Sequence, residues 1–238
     1  MTTAVLELSG VVKDYRALRP LRIAALRVRS GEHVALVGVD QVAAEVFTNL
    51  VTGAILPESG DIRVFGRPTS AIADSDEWLA TVDRFGIVSE RAVLLDQLSV
   101  LQNLAMPFTL EIEPPPADAK RQAEALAREV GLPDSIWDRP IAALNPESRV
   151  RIRLGRGLAL DPGVLILEHA SAGLSVEEGG VLGADIRVIA RRRGAAIVAA
   201  TLDEAFSRAV ADRILVWEPA NGRLTERRTG RWFRRRVM

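Results

Sequence analysis

A single glycine follows an apolar segment near the N-terminus, in the order found at many phosphate-binding turns. Residues 33–37 form a short apolar run, Gly38 ends it, and apolar residues recur at helical spacing from Val42 onward. A strand–glycine–helix junction of this kind offers backbone N–H groups and a helix dipole to an anion. Residues 39–45 read Val-Asp-Gln-Val-Ala-Ala-Glu, with no further glycine, no lysine and no hydroxyl group. The frame therefore predicts a phosphate site, whereas the side chains within it disfavour an anion.

Composition excludes several other kinds of site. Of 238 residues, 48% are hydrophobic and 26% are charged, the formal net charge is zero, and there is no cysteine. Disulfides, thiolate metal sites and cysteine nucleophiles are thereby excluded, and two histidines argue against a zinc site. A zero net charge gives no general attraction to nucleic acid, so no nucleic-acid partner is expected. The N-terminus has no signal-peptide pattern and no long apolar stretch follows, which predicts a cytoplasmic protein.

Strands and helices alternate along much of the chain. Short apolar runs bounded by polar turns predict strands at residues 4–9, 22–28, 33–37, 61–65, 85–88, 164–167, 195–200 and 214–217, the last of the chain. Helical spacing predicts helices at residues 42–52, 100–108, 117–130 and 176–191. Strand–helix–strand order predicts an α/β fold with a parallel sheet covered by helices.

The segment between the strands at 85–88 and 164–167 is too long for a simple crossover connection. It has helical character on both sides of three consecutive prolines at residues 114–116, which no helix can pass. We therefore predict a mostly helical subdomain, near residues 90–160, inserted into the sheet domain. The domain itself is expected to span residues 1–220, with residues 221–238 as a basic tail.

Six segments, in this order and at these spacings, resemble the nucleotide-binding subunit of an ABC transporter. They are residues 30–38 before Walker A, 50–68 after it, 94–107 after the Q-loop, 155–167 before Walker B, 171–175 at the D-loop and 203–217 after the switch histidine. The resemblance covers about residues 5–220. It implies a P-loop NTPase (RecA-like) core, an N-terminal antiparallel β portion and an inserted helical subdomain. ATP and magnesium are the cofactors that it implies.

The Walker A positions depart from the family pattern. That pattern has glycines that wrap the phosphates, a lysine that pairs with them and a hydroxyl that holds magnesium. Only Gly38 conforms, since Asp40 lies within the loop, Ala44 takes the lysine position and Glu45 the hydroxyl position. Losing one charge contact near 4 Å costs roughly 4 kcal/mol at an effective dielectric of about 20. Glu45, which the spacing places in the first helical turn, is expected to satisfy the helix dipole instead of phosphate.

The remaining motif positions differ as well. Glu90 aligns with the Q-loop glutamine, Glu168 with the magnesium-binding aspartate, His169 with the catalytic glutamate and Ala200 with the switch histidine. Histidine is able to act as a general base, but a lost catalytic site is the favoured interpretation of His169. The positions that face a partner cassette are the signature positions and the D-loop, namely Asn145, Pro146, Glu147, Ser148, Ser171, Ala172, Gly173 and Leu174. Proline and glutamate in the signature remove an N–H donor and repel phosphate.

One aromatic position conforms, and a basic segment ends the chain. Tyr15 lies where the family has an aromatic that stacks on adenine, and packing alone is an equally good explanation of it. The C-terminal residues 223–238 are rich in arginine around Trp232 and Phe233. A solvated tail is the favoured interpretation of them, and contact with anionic lipid is the alternative.

The pattern as a whole favours a degenerate cassette that is retained for its surfaces. Such a subunit is expected at the inner face of the cell membrane, bound to a membrane permease and paired with itself or with a competent cassette. Two alternatives stay open at this point. One is a scaffold or regulatory protein that never meets nucleotide, and the other is an active ATPase whose metal site is rebuilt from Glu45, Glu168 and His169.

Overall fold

The computed structural model of the chain describes residues 3–227. The strands are β1 (Ala4–Lys13), β2 (Leu21–Arg29), β3 (His33–Val37), β4 (Ser59–Val64), β5 (Arg67–Pro68), β6 (Phe85–Val88), β7 (Val164–Glu168), β8 (Ala196–Thr201), β9 (Arg213–Glu218) and β10 (Arg223–Glu226). The α-helices are α1 (Gln41–Val51), α2 (Ser75–Val82), α3 (Val100–Ala105), α4 (Ala117–Glu129), α5 (Pro146–Leu158), α6 (Val176–Arg193) and α7 (Glu204–Val210).

The N-terminal part of the chain forms an antiparallel sheet. Its strand order is β2-β1-β4-β5, and β2 buries alternate residues along most of its length. That alternation is the pattern of a strand with one face on the core and one toward solvent. Phe65 and Gly66 both have positive φ and connect β4 to β5 as a two-residue hairpin turn. This sheet covers one side of the core that also contains α1.

A second sheet of six strands carries the site. Its order is β10-β9-β3-β8-β7-β6, and all neighbouring pairs except β10 with β9 are parallel. The carboxyl ends of β3, β8 and β7 meet at one edge, because Leu36 pairs with Ala200 and Glu168 pairs with the same residue. Ligands of open α/β sheets bind at this edge. The prediction of an α/β fold with a parallel sheet and helical cover is confirmed.

The chain between β6 and β7 is mostly helical. It contains α3, α4 and α5, which bury apolar residues such as Leu104, Ala123 and Ile152 in one shared core. Ser99 starts α3 with a capping box, in which its side chain and that of Gln102 each accept the other residue's backbone N–H. The same core continues under β7 and β8 through Leu165 and Ile197, so the helices are packed on the sheet rather than detached.

Two strands of the structure were not predicted, namely the two-residue strand β5 and the strand β10, whose residues are expected in the tail. The prediction that the last strand lies at residues 214–217 is wrong, because β10 follows it and pairs with β9. Three of the four β10 residues are exposed, so the segment lacks the apolar alternation from which strands are predicted. Trp232 and Phe233 of the basic segment lie outside the described residues. Within residues 3–227, no helix combines the length and the apolar character needed to span a membrane.

Candidate functional site

The N-terminus of α1 is capped by a side chain from the same turn. Asp40 has an extended backbone, and its Oδ1 accepts a hydrogen bond of 2.8 Å from the N–H of Ala43. The N–H of Ala44 donates to the carbonyl of Asp40 at 2.9 Å. A carboxylate in this place satisfies the N–H groups and the dipole that an anionic ligand would engage. Asp40 therefore takes the place of an external anion at this turn.

The lysine and hydroxyl positions of the loop lie inside the helix. Ala44 is fully buried, and Glu45 is half-buried in the second helical turn. The prediction that Glu45 lies in the first turn and satisfies the dipole is wrong. Asp40 caps the helix, so α1 begins at Gln41 rather than Val42, and its first turn contains no acidic residue.

An arginine outside every motif lies between the two carboxylates of the site. Arg91 makes two bonds to Glu168, from Nη2 to Oε1 at 2.6 Å and from Nε to Oε2 at 3.2 Å. Its Nη1 lies 3.4 Å from Oε1 of Glu45. One guanidinium thus neutralises a carboxylate at the end of β7 and another on α1. These are the two positions that the resemblance assigns to magnesium binding.

The Glu168 carboxylate is fully buried and nevertheless favours its charged form. Burial raises the pKa of Glu168, but hydrogen bonds with Arg91 and Ser89 outweigh it and hold that pKa below its ordinary value. The hydrogen bond to Glu168 in turn raises the pKa of Arg91. Fixed two-bond geometry of this kind is the strongest form of carboxylate–arginine contact. The pair is therefore compensated without any external ion.

The positions of the Q-loop glutamine and of the catalytic glutamate border one small cavity. Glu90, Glu168, His169 and Ala172 are among the residues that line a space of about 10 Å³. This is roughly the smallest volume that holds one water molecule. The Nε2 atom of His169 is buried and has no hydrogen-bond partner among residues 3–227, and its backbone has φ of 47°. This particular space is therefore too small for a phosphate group.

Two further motif positions are Ala200 and Tyr15. Ala200 is buried in β8, and its carbonyl accepts a 2.9 Å hydrogen bond from the N–H of His169. It supplies no titratable group where the family has histidine. Tyr15 is half-buried against the core under the antiparallel sheet. Burial raises the pKa of Tyr15, and the charge of Asp40 raises it further.

The signature positions start α5 and are satisfied within the chain. The Asn145 side chain accepts a 2.8 Å hydrogen bond from the N–H of Ser148, and Pro146 is the first helical residue. Glu147 pairs with Arg151 at 2.8 Å. A capped helix with an acidic first turn has little attraction left for an anion. Within residues 3–227, no hydrogen bond or ion pair joins these positions to the start of α1.

The D-loop positions form a turn between β7 and α6. The N–H of Leu174 donates to the carbonyl of Ser171 at 3.1 Å, and Gly173 has φ of 78°. Ser171 is buried, whereas Ala172 and Gly173 are exposed. The structure thus brings Glu45, Glu90, Glu168 and His169 together at one edge of the sheet, while the signature positions belong to a separate surface of the same chain.

Comparison with known proteins places this arrangement in a family. A family model described as ABC transporter matches residues 21–172, more than half of the chain. The chain belongs to the ABC transporter family. The resemblance to this family is therefore confirmed, as is the cassette fold.

Individual relatives are distant. The lipoprotein-releasing system ATP-binding protein LolD of Saccharophagus degradans is 28% identical over 181 residues, which cover 74% of this chain and 78% of LolD. The sulfate/thiosulfate import ATP-binding protein CysA 2 of Chromobacterium violaceum is 28% identical over 211 residues, covering 89% of this chain and 55% of that relative. The chain thus spans little more than half the length of the latter protein.

A solved structure supports the fold alone. The cbiO1 protein of Clostridium perfringens, described as part of an ABC transporter complex, superposes with a TM-score of 0.77 at 20% identity. The match covers 93% of this chain and 87% of cbiO1. At 20% identity the structural match supports the same fold and gives no information on the individual site residues.

ATP and magnesium, which an ABC cassette implies, do not fit the residues present here. The N–H of Ala43 is bound to the Asp40 carboxylate, and the guanidinium of Arg91 lies between Glu45 and Glu168. A metal ion between those two carboxylates would have to displace that guanidinium. An added phosphate would meet the Asp40 carboxylate at the helix start, and Ala44 supplies no cation at the lysine position of the family pattern.

Arg91 is the residue that the motif comparison missed. It adjoins Glu90 in the chain, and no family motif assigns a function to its position. A sequence signal was nevertheless present. Two glutamates had replaced a hydroxyl and an aspartate at neighbouring metal-binding positions, and buried carboxylates require a cationic partner. The first arginine after β6 was a candidate for that partner.

Proposed function

We propose that this chain is a degenerate ATP-binding cassette subunit of an ABC transporter. In this proposal it binds a membrane permease subunit, pairs with a second cassette and transmits motion between them without hydrolysing ATP itself. Its place is then the inner face of the cell membrane, as a peripheral cytoplasmic subunit. The sequences and folds of its relatives support the transporter assignment, and the site supports the loss of catalysis.

The observation that carries the proposal is the internal compensation of the site. Arg91 pairs with Glu168 and Glu45, and Asp40 caps α1, so cation and anion positions are both filled by side chains. Replacement of a motif residue alone would leave unpaired buried groups, which cost free energy. Here the three carboxylates at Asp40, Glu45 and Glu168 each have a partner within the chain. A fold adapted in this way is stable without nucleotide, which favours a structural role over an unorthodox ATPase.

A groove between the sheet and the helical part supports the permease contact. It has a volume of about 330 Å³ and is lined by Phe85, Ile87, Ala92, Met106, Pro107, Arg153, Arg156, Gly157 and Leu160. Leu160 and the nearby Val93 are large apolar residues that stay exposed. Among residues 3–227, no carboxylate lies within 4 Å of the guanidinium of Arg153 or Arg156. A short apolar segment of a permease fits such a surface.

The second cassette is proposed from the family architecture. In the pairing that the family implies, the signature positions of one cassette face the Walker A loop of the other. This chain would offer Pro146 and Glu147 to an intact loop opposite, and would expose its own capped helix start to the partner's signature. Both composite sites are then impaired, so hydrolysis in the complex would depend on residues of the partner.

Thermal unfolding of the purified chain with and without Mg-ATP tests the loss of nucleotide binding. A ligand at 100 times its Kd stabilises the folded state by about 2.7 kcal/mol, which for a chain of this size raises Tm by about 5–11 °C. We expect no rise at millimolar Mg-ATP. An intact cassette run in parallel is the positive control. A rise of this size in the present chain would refute the pseudo-ATPase assignment.

Affinity purification of a tagged chain from its native cells tests the transporter role. Recovery of a permease together with a cassette that has an intact Walker A lysine is the expected result. Recovery of soluble proteins alone, with no permease in the detergent extract, would favour the scaffold alternative. Contact of the basic C-terminal segment with anionic lipid is a separate proposal, which vesicle flotation of the full chain and of a variant ending at residue 227 would test.

A further inference from the structure

The link between the sheet and the helical part is held at both ends by arginines. We call residues 89–95 the strap, since they connect the end of β6 to the segment that leads into α3. We propose that Arg91 is a built-in cation that fixes the strap to the sheet and so holds the helical part in one orientation without nucleotide or metal. The inference deepens the function proposed above and rests on it.

At the sheet end, the strap is anchored to two elements. Arg91 bonds to Glu168 on β7 at 2.6 and 3.2 Å and approaches Glu45 on α1 to 3.4 Å. The strap also folds on itself, because the N–H of Arg91 donates to the Ser89 hydroxyl at 3.2 Å and the N–H of Ala92 to the Ser89 carbonyl at 3.1 Å. Glu168 is fully buried, so loss of its partner would leave a charged carboxylate that bulk water does not reach, which costs folding free energy.

At the helical end, two arginines of α5 bind carbonyls of the strap. Arg153 donates from Nε to the carbonyl of Ala92 at 3.2 Å, and Arg156 donates from Nη1 to that of Val93 at 2.6 Å. The amide of Asn103 on α3 completes the attachment, because its Oδ1 accepts the N–H of Leu95 at 2.9 Å and its Nδ2 donates to the Leu95 carbonyl at 3.1 Å.

These contacts differ in strength in a way that assigns the central role to Arg91. The bonds from α5 and α3 hold the strap to the helical part only. On the sheet side, within residues 3–227, the side chains of the strap make no ion pair except those of Arg91. Removing its guanidinium therefore breaks every ion pair between the strap and the sheet and leaves the hydrogen bond of Ser89 to Glu168, while the strap stays attached to the helices. In this account Arg91 is a positioning residue, and it touches no substrate.

Hydrogen–deuterium exchange on the full chain tests the attachment. In Arg91→Ala, we expect the amides of residues 91–95 to exchange at least about tenfold faster, as a local opening becomes easier. Arg91→Lys keeps one charge contact but loses the two-bond geometry, so an intermediate rate is expected. The matched control is Arg208→Ala, which breaks an exposed pair with Glu204 on α7 and should leave strap exchange unchanged. Strap exchange equal to wild type in both Arg91 variants would overturn the proposal.

A distance measurement tests the consequence for the helical part. The chain has no cysteine, so spin labels at Lys120→Cys on α4 and Val181→Cys on α6 attach without background. Both positions are exposed. We expect one narrow distance in the wild-type background, unchanged by Mg-ATP, and a broader or shifted distribution once Arg91→Ala or Arg91→Lys is added. An unchanged distribution in both variants would refute the positioning role.

The outcomes separate this inference from the proposed function. Nucleotide binding by the wild-type chain would refute the pseudo-ATPase assignment and would leave the exchange data on Arg91 to be judged alone. Absence of nucleotide binding together with a strap indifferent to Arg91 would refute only the inference. Because Arg91→Lys retains a positive charge, it supplies a folded variant if Arg91→Ala unfolds.

Discussion

Replacing Arg91 with alanine is the perturbation with the largest expected effect on stability. The substitution leaves the Glu168 carboxylate, which has no exposed surface, without its two-bond partner. Breaking a buried pair by removing one partner costs about 3–5 kcal/mol. The Arg91 side chain is 38% exposed, so water reaches the position that it leaves. We therefore expect a loss of folding free energy at the lower end of this range, about 3 kcal/mol. For a chain of this length that corresponds to a fall in Tm of about 6–12 °C.

Urea unfolding followed by circular dichroism measures this loss. Arg208→Ala serves as the control, since an exposed pair contributes at most about 1 kcal/mol. The double variant Arg91→Ala with Glu168→Leu should recover much of the lost stability, because it removes the stranded carboxylate as well. A single Arg91→Ala variant as stable as Arg208→Ala would refute the assignment of Arg91 as the compensating cation.

The pH dependence supplies a second check with a definite sign. In the wild type, the pKa of Glu168 is lower in the folded state than in the unfolded state. Its contribution to the free energy of unfolding is therefore fully present above the pKa of the unfolded state, and it is lost as pH falls through the pKa of the folded state. Without Arg91, burial dominates and raises that pKa, so the variant gains relative stability on protonation. The stability gap between wild type and Arg91→Ala should therefore shrink below about pH 4.5. A gap that widens on acidification would contradict this account.

Three further predictions concern residues other than Arg91. The double substitution Ala44→Lys with Glu45→Ser should not create Mg-ATP affinity in calorimetry, because Asp40 still occupies the helix start. Crowding at buried Ala44 should lower the free energy of unfolding in urea by about 1–3 kcal/mol. Measurable Mg-ATP affinity of this variant would contradict the reasoning. Asp40→Ala should lower unfolding free energy by about 1 kcal/mol through loss of the cap, whereas Asp40→Asn should retain most of it, and equal losses would refute capping. Burial lowers the pKa of His33, so the wild type should lose stability as pH falls below about 6.5. The variant His33→Leu should lose less stability over the same pH range. If the stability of both proteins falls in parallel, His33 is not the cause of the loss.

The sheet was predictable from the sequence because its central strands are apolar on both faces. Continuous apolar runs predicted β3, β7 and β8 within one residue or two, and helical spacing predicted the end of α6 within two residues. The strand β10 was not predictable by the same route, since its pairing with β9 is set by the backbone and its residues are mostly exposed. Apolar periodicity arises from burial, so it does not predict a strand that buries few side chains.

The site was predictable as a position and only partly as a set of contacts. The family resemblance identified Glu45, Glu90, Glu168 and His169 as motif positions, and the structure brings them together at one edge of the sheet. The pairing of Arg91 with Glu168 joins residues 77 positions apart, which no local pattern encodes. The Asp40 cap was within reach of sequence reasoning, because aspartate directly before an apolar-periodic segment is a helix-start signal. The family pattern, by contrast, gives Asp40 only as a departure from a phosphate loop.

Isothermal titration of the purified, full-length chain with Mg-ATP tests the central claim most directly. We expect no saturable heat up to about 1 mM nucleotide, which corresponds to a binding free energy weaker than about −4 kcal/mol. ATP without magnesium should behave in the same way, since neither the metal nor the phosphate has a vacant position. A stoichiometric transition with a Kd in the range of about 1 μM would show that Arg91 and Asp40 yield their places to nucleotide, and the pseudo-ATPase assignment would then be wrong.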